Sequence, residues 1–311
     1  MTIQRNAAVF VASLLAAFVC AGAFAAAPAT EPKGFTEQRA DVGGVNLAYT
    51  IGGEGPVVVL LHGFAQTRHM WAPLLPLLAT NHTVIAPDLR GVGDSDRPLT
   101  GYDKKTMAQD IHALMQKLGV KHIVVIGHDI GLMVAYAYAA QYPAEVDKIV
   151  LMEAFLPGVG DWTNVWLLRD LWHFHFYGET PFKLVDGRER IYLDHFWNDF
   201  AADPNHSVSP ADRDYYTAEY AKNGGMRATF EYFHAFPQDA EDFAGFMKTK
   251  LTIPMLVLSG EKAGGEFLIE QGRLVDSNVK GVLVKGAGHW LIDEAPEQVI
   301  PLIVDFVNAP M

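Results

Sequence analysis

Short apolar runs alternate with stretches of helical periodicity along most of this chain. Val57–His62, Thr83–Ala86, Ile123–Ile126, Ile149–Met152, Met255–Leu258 and Val282–Val284 are apolar and bounded by Gly, Pro, Asp or Asn. Continuous rather than alternating apolar character predicts strands buried on both faces. Thr106–Leu118, Gly131–Gln141, Phe267–Asp276 and Pro296–Asn308 carry helical patterning. Arg39–Gly52, with Gly43-Gly44 as its turn, predicts an antiparallel start. The alternation predicts an α/β fold, with a mostly parallel central sheet flanked by helices.

One stretch breaks the alternation. Residues 155–246 hold 21 of the 35 aromatics and five of the 12 histidines, with no clear strand. A helical cap inserted between two core strands accounts for this, because strand-like segments resume at Met255. The predicted organisation is a leader at 1–25, a core at 26–154 and 247–311, and a cap at 155–246. The aromatics of the cap either pack its own interior or line an apolar pocket over the sheet.

The leader changes how the composition reads. Nineteen of the first 25 residues are hydrophobic, Arg5 gives a positive n-region, and Ala23-Phe24-Ala25 fits an A-x-A cleavage pattern. A secretory signal peptide follows, and with it an exported, periplasmic or secreted bacterial protein. Lipid anchoring through Cys20 fits poorly, since Ala17-Phe18-Val19 makes a weak lipobox. Cleavage removes the single cysteine and leaves a thiol-free chain suited to an oxidising compartment. No later apolar run is long enough to span a bilayer. The charge of −12, from 24 basic and 36 acidic side chains, argues against a nucleic-acid partner.

Chemistry concentrates in a few motifs. Gly127-His128-Asp129-Ile130-Gly131 follows a strand and opens a helix, which is the nucleophile elbow with Asp129 in place of serine. Upstream, His62-Gly63-Phe64 ends another strand, so the backbone N–H groups of Phe64 and Ile130 are expected to form an oxyanion hole. Gly286-Ala287-Gly288-His289-Trp290 places a histidine after the last strand as general base. The acid usually follows the strand after the cap, but that loop carries Ala263 where an aspartate is expected. Glu153, at the end of the strand before the cap, is therefore assigned as the acid, with Glu261 second.

An aspartate nucleophile redirects the chemistry. A carboxylate is anionic at neutral pH and displaces leaving groups at sp³ carbon, giving an alkyl-enzyme ester. His289, oriented by Glu153, would then activate water against the Asp129 carbonyl. Ester hydrolysis loses ground to epoxide opening and to dehalogenation. Haloalkane dehalogenases usually place tryptophan after the nucleophile, and haloacetate dehalogenases place arginines one and four positions after it. Ile130 and Met133 occupy those places.

Taken together, His62-Gly63-Phe64, His128-Asp129-Ile130-Gly131, Met152-Glu153-Ala154, Trp172-His173-Phe174, Phe230-Glu231-Tyr232 and Gly288-His289-Trp290 resemble the epoxide hydrolase branch of the α/β-hydrolase fold. The resemblance spans roughly Phe35 to Phe306 and is nearest to the Cif-like secreted epoxide hydrolases. It implies a small apolar epoxide and water as substrates, and a homodimer or higher homo-oligomer. It also implies that His173 replaces one of two cap tyrosines that grip the epoxide oxygen. The other tyrosine falls on Phe233, so half of the grip is missing, at a cost of about 10² to 10³ in rate. Trp172, His175, Tyr232 and Phe233 are the remaining candidate cap contacts, with His175 and His234 as possible compensating donors. No cofactor and no metal is expected, because His173 and His175 lack carboxylates at ligand spacing.

Overall fold

A computed structural model describes residues 32–310. The signal-peptide expectation, with Cys20, lies outside the described residues. Eight strands form one sheet: β1 (Phe35–Asp41), β2 (Asn46–Gly52), β3 (Val57–Leu61), β4 (Thr83–Pro87), β5 (Ile123–His128), β6 (Val146–Met152), β7 (Met255–Gly260) and β8 (Val279–Val284). Their spatial order is β1-β2-β4-β3-β5-β6-β7-β8. β1 pairs antiparallel with β2, and β2 with β4; every later pairing is parallel. The fold is therefore α/β with a mostly parallel sheet.

The sheet separates two apolar cores, as period-2 side-chain alternation requires. Val59, Leu61, Val125, Ile149 and Leu151 enter one core with residues of α2 (Lys104–Lys117) and α3 (Ile130–Gln141). Val58, Leu60, Val124, Ile126 and Val150 enter the other with Leu75 and Leu78 of α1 (Leu75–Leu78). Between β6 and β7 the chain forms α4 (Trp162–Trp166), a 3-10 segment at Arg169–His175, α5 (Glu179–Val185), α6 (Glu189–Asp199), α7 (Pro210–Tyr220), α8 (Gly225–His234) and α9 (Phe236–Phe246). The core then closes with α10 (Gly265–Val275), α11 (Leu291–Glu294) and α12 (Pro296–Asn308).

Two strands begin earlier than their apolar runs suggest, each for a local reason. β6 begins at Val146 and contains Lys148, which is buried because its Nζ reaches the Phe306 and Val307 carbonyls at 2.9 Å each. The ammonium there satisfies open carbonyls at the end of α12. β8 begins at Val279 and is only partly buried along most of its length. An edge position tolerates Lys280 and Gly281.

Buried polar bonds tie the cap to the core. Trp197 Nε1 donates to the Ala65 carbonyl at 3.2 Å, Tyr220 Oη to Gln66 at 3.0 Å, and Trp290 Nε1 to Phe196 at 3.2 Å. Lys104 Nζ and Asp239 Oδ2 stand 2.8 Å apart, both fully buried, joining α2 to α9. Among the described residues, no helix is long and apolar enough to cross a membrane.

Candidate active site

Three non-glycine residues among those described have positive φ: Ala65 (61°), Asp129 (52°) and Glu153 (39°). All three follow strand ends at the same edge of the sheet. Such backbone costs of order 1–3 kcal/mol per residue and persists only where its surroundings impose it. At the elbow they do. A methyl group on Gly127 would collide with the Gly131 carbonyl, and one on Gly131 with the carbonyls of Leu61 and His62. Both glycines are therefore fixed by close packing, and the turn between β5 and α3 lifts Asp129 clear.

Asp129 Oδ1 accepts the Phe64 N–H at 2.6 Å, and the Ile130 N–H also bonds the carboxylate. The two predicted oxyanion donors thus converge on one group. Burial pushes the Asp129 carboxyl above its ordinary value; His289 and these two N–H groups hold the rise back.

His289 stands between two carboxylates. Its Nε2 is 3.9 Å from Asp129 Oδ2, and its Nδ1 is 3.9 Å from Glu153 Oε1. These are ion-pair spans, longer than a direct hydrogen bond. Burial alone would discourage a charge on His289, but Glu153 and Asp129 outweigh it and raise its pKa above the ordinary imidazole value. The His289 N–H donates to Phe200 of the cap at 2.8 Å, and its carbonyl bonds His128 Nε2 at 2.9 Å. The main chain that carries the ring is therefore held from both the cap and the core.

The loop after β7 has no aspartate, yet it serves the acid. Glu153 accepts the N–H of Gly260 at 2.6 Å, the N–H of Gly264 at 2.8 Å, and the Ser259 hydroxyl at 3.2 Å. A Cβ on Gly264 would stand 2.9 Å from Glu153 Oε1, so glycine is needed for this approach. Glu261, the second candidate, is exposed and accepts the Gly286 N–H at 3.1 Å instead.

A cavity of about 350 Å³ opens over Asp129, Glu153 and His289. His173, Phe233, Phe174, Phe196, Phe200 and Phe236 supply much of its aromatic lining. Burial among these rings drives the His173 pKa down to about 3, so its imidazole is neutral at pH 7. Phe233 lies 5.2 Å from His173 and 4.9 Å from Phe64, centroid to centroid. Among the described residues, no tyrosine lines the cavity, and Lys262 is its one ammonium or guanidinium group.

Three candidate contacts are corrected. Trp172, His175 and Tyr232 do not line the cavity. In a 3-10 segment, residues three apart share a side. Leu171 and Phe174 turn inward, while Trp172 (40% exposed) and His175 turn out. His175 Nε2 bonds the Trp166 carbonyl at 2.9 Å. Tyr232 is buried with its hydroxyl on the Arg90 carbonyl. His234, weighed as a compensating donor, pairs with Glu231 at 2.9 Å and stacks on Tyr177. The lining residues not singled out from the sequence include Phe196, Phe200 and Phe236, of which the first two stand four residues apart at the end of α6. That spacing on one helix face was the available signal.

The family model described as alpha/beta hydrolase fold matches residues 56–296, and the chain belongs to that family. It is a hydrolase, with homologues named epoxide hydrolase. The soluble epoxide hydrolase of Corynebacterium sp. (strain C12) is 33% identical over 280 residues, covering 87% of this chain and 96% of that one. A fluoroacetate dehalogenase of Burkholderia sp. is 27% identical over 292 residues, covering 89% and 95%. The crystal structure of the Cif epoxide hydrolase from Acinetobacter nosocomialis superposes with a TM-score of 0.80 at 23% identity, covering 89% and 90%, a likeness of fold.

Proposed function

We propose that this enzyme opens apolar epoxides to vicinal diols through an alkyl ester on Asp129. The observation that carries the reading is the division of labour on the Asp129 carboxylate. Oδ1 is held by the Phe64 N–H, while Oδ2 is the oxygen nearer His289. Oδ2 attacks an epoxide carbon, the C–O bond breaks, and the ring oxygen leaves as an alkoxide held by His173. Water then enters between His289 and the ester, and His289 takes its proton as hydroxide adds to the Asp129 carbonyl carbon. The developing oxyanion on Oδ1 already accepts the Phe64 N–H, and the Ile130 N–H bonds the same carboxyl group. Collapse releases the diol and restores the carboxylate.

Halide displacement uses the same nucleophile, but a haloacetate needs a cationic clamp. Ile130 and Met133 stand where arginines are expected, and Met133 lines the cavity. An aromatic lining favours an aryl or alkyl epoxide over a small anion. The test is incubation with an aryl epoxide and chromatography for the diol, with a single turnover in H₂¹⁸O. Unlabelled diol at the first turnover is expected, because its new oxygen comes from Asp129. Unchanged epoxide together with halide release from haloalkanes would overturn the reading. We further propose export through the N-terminal leader, expected as a mature chain beginning after Ala25 by N-terminal sequencing from its native host.

A further inference from the structure

A neutral His173 creates a proton problem for the ring-opening step proposed above, on which this inference rests. An imidazole that gives its Nε2 proton to an alkoxide becomes an anion unless Nδ1 receives another. His173 lines the cavity, and its Nδ1 is buried with no hydrogen-bond partner among the described residues. Nε2, which is not so enclosed, is the nitrogen open to substrate.

The neighbour that answers this is on α6. His195 lies 6.2 Å from His173, ring centroid to centroid. Its Nε2 is likewise buried without a partner. Its Nδ1 is 2.7 Å from Asp199 Oδ2, and the Asp199 side chain is 64% exposed. Two buried, unpaired nitrogens in adjacent imidazoles, the second ring half-buried and joined to a surface carboxylate, outline a path from solvent to the cavity. Transfer between them requires the two rings to close together from that separation. His175 on the same 3-10 segment and His289 from the core also act on the charge of His173, and Asp129, Glu153, Asp170 and Lys262 line the same cavity.

We propose that His195 relays a proton from solvent, through His173, to the epoxide oxygen. With Nδ1–H donated to Asp199, a second proton on His195 must sit on Nε2. As Asp129 forms its bond to carbon, the electron pair of the broken C–O bond leaves on oxygen. His173 passes its Nε2 proton to that oxygen, and its Nδ1 takes the proton of His195 Nε2 as the two rings close together. His195 is left neutral and is recharged at the surface by way of Asp199. Hydrolysis of the ester later frees one proton at His289, so the cycle returns what it took.

The experiment follows alkyl-enzyme formation by rapid quench and intact mass, using an aryl epoxide in the His289→Gln background, where the adduct accumulates. His195→Phe keeps the ring against Trp172 and Phe200 but removes the relay; adduct formation should slow at least about tenfold. The epoxide concentration giving half-maximal rate should stay the same. His195→Gln can still donate to His173 Nδ1 but cannot pass a proton on, and should be as slow as the phenylalanine variant. The pH profile of adduct formation should differ between the enzyme that keeps His195 and both variants. An unchanged adduct rate in His195→Phe overturns the relay, as does full recovery in His195→Gln, which would leave His195 only an orienting role. Failure to form any adduct with His195 intact overturns the epoxide reading itself.

Discussion

On the sheet side of the cavity, the carboxylates of Asp129 and Glu153 are held by backbone N–H groups of Phe64, Gly260 and Gly264. On the cap side, His173 stands among Phe174, Phe196, Phe200 and Phe233, with Nδ1 unpaired. One wall is built from main-chain geometry, strained at Asp129 and Glu153 and reinforced by glycines. The other is built from side chains whose chemistry changes with a single substitution. The hydrolytic half of the proposed reaction belongs to the first wall, and the grip on the leaving oxygen belongs to the second. Rigid backbone makes the first hard to lose; aromatic packing makes the second easy to vary.

Changes on the sheet side should cost most. Asp129→Asn removes the nucleophile but suits the positive φ, which asparagine tolerates. A loss of about 10⁴-fold in turnover, with fold retained by circular dichroism, is expected. Measurable diol formation at a tenth of the parent rate would break the assignment. His289→Gln should cut turnover by about 10³-fold while leaving alkylation intact. Intact mass should then show one substrate equivalent on the protein, and its absence would mean that His289 also serves the first step.

The cap side should respond in the opposite direction to one change. Phe233→Tyr adds a hydroxyl to a ring that lines the cavity 5.2 Å from His173. A second donor to the developing alkoxide should speed alkylation by about 10²-fold. No gain in the quench assay would show that Phe233 does not aim at the epoxide oxygen. Trp172→Ala, outside the cavity, should change the same rate by less than about twofold, as surface positions usually do.

The contrast also explains what the sequence revealed. Asp129 and His289 were legible because their motifs encode backbone: glycines at the elbow, and a loop after the last strand. Glu153 was reached by noticing Ala263, though the cradle that Gly260 and Gly264 make for it was not visible. The α/β architecture and the strand set followed from apolar runs, while the starts of β6 and β8 were hidden by Lys148 and Lys280. Cap contacts were misjudged because Arg169–His175 winds as a 3-10 segment with a kink at Leu171 (φ −97°, ψ 33°). Motif adjacency placed Trp172 and His175 beside His173; the three-residue period turned them outward. Which aromatic faces a cavity depends on helix phase and tertiary angle, and neither is written in composition.

The smallest expected effect separates the two walls by pH. His289 must be neutral to accept a proton from water, and its pKa in the free enzyme is raised by Glu153 and Asp129 against the effect of burial. The His289 midpoint of the unreacted enzyme should therefore lie above the ordinary imidazole value near 6.5, and hydrolysis should slow as pH drops through the midpoint of the alkyl-enzyme. Once Asp129 is an ester, it no longer carries charge, and one of the groups raising His289 is gone. The midpoint for ester hydrolysis in the alkyl-enzyme should lie below the His289 midpoint of the free enzyme, while Glu153 remains to orient the ring. Single-turnover hydrolysis across pH, set against an NMR titration of His289 in the unreacted protein, measures both. If the kinetic midpoint equals or exceeds the titration midpoint, the Asp129 charge does not act on His289 across that 3.9 Å gap.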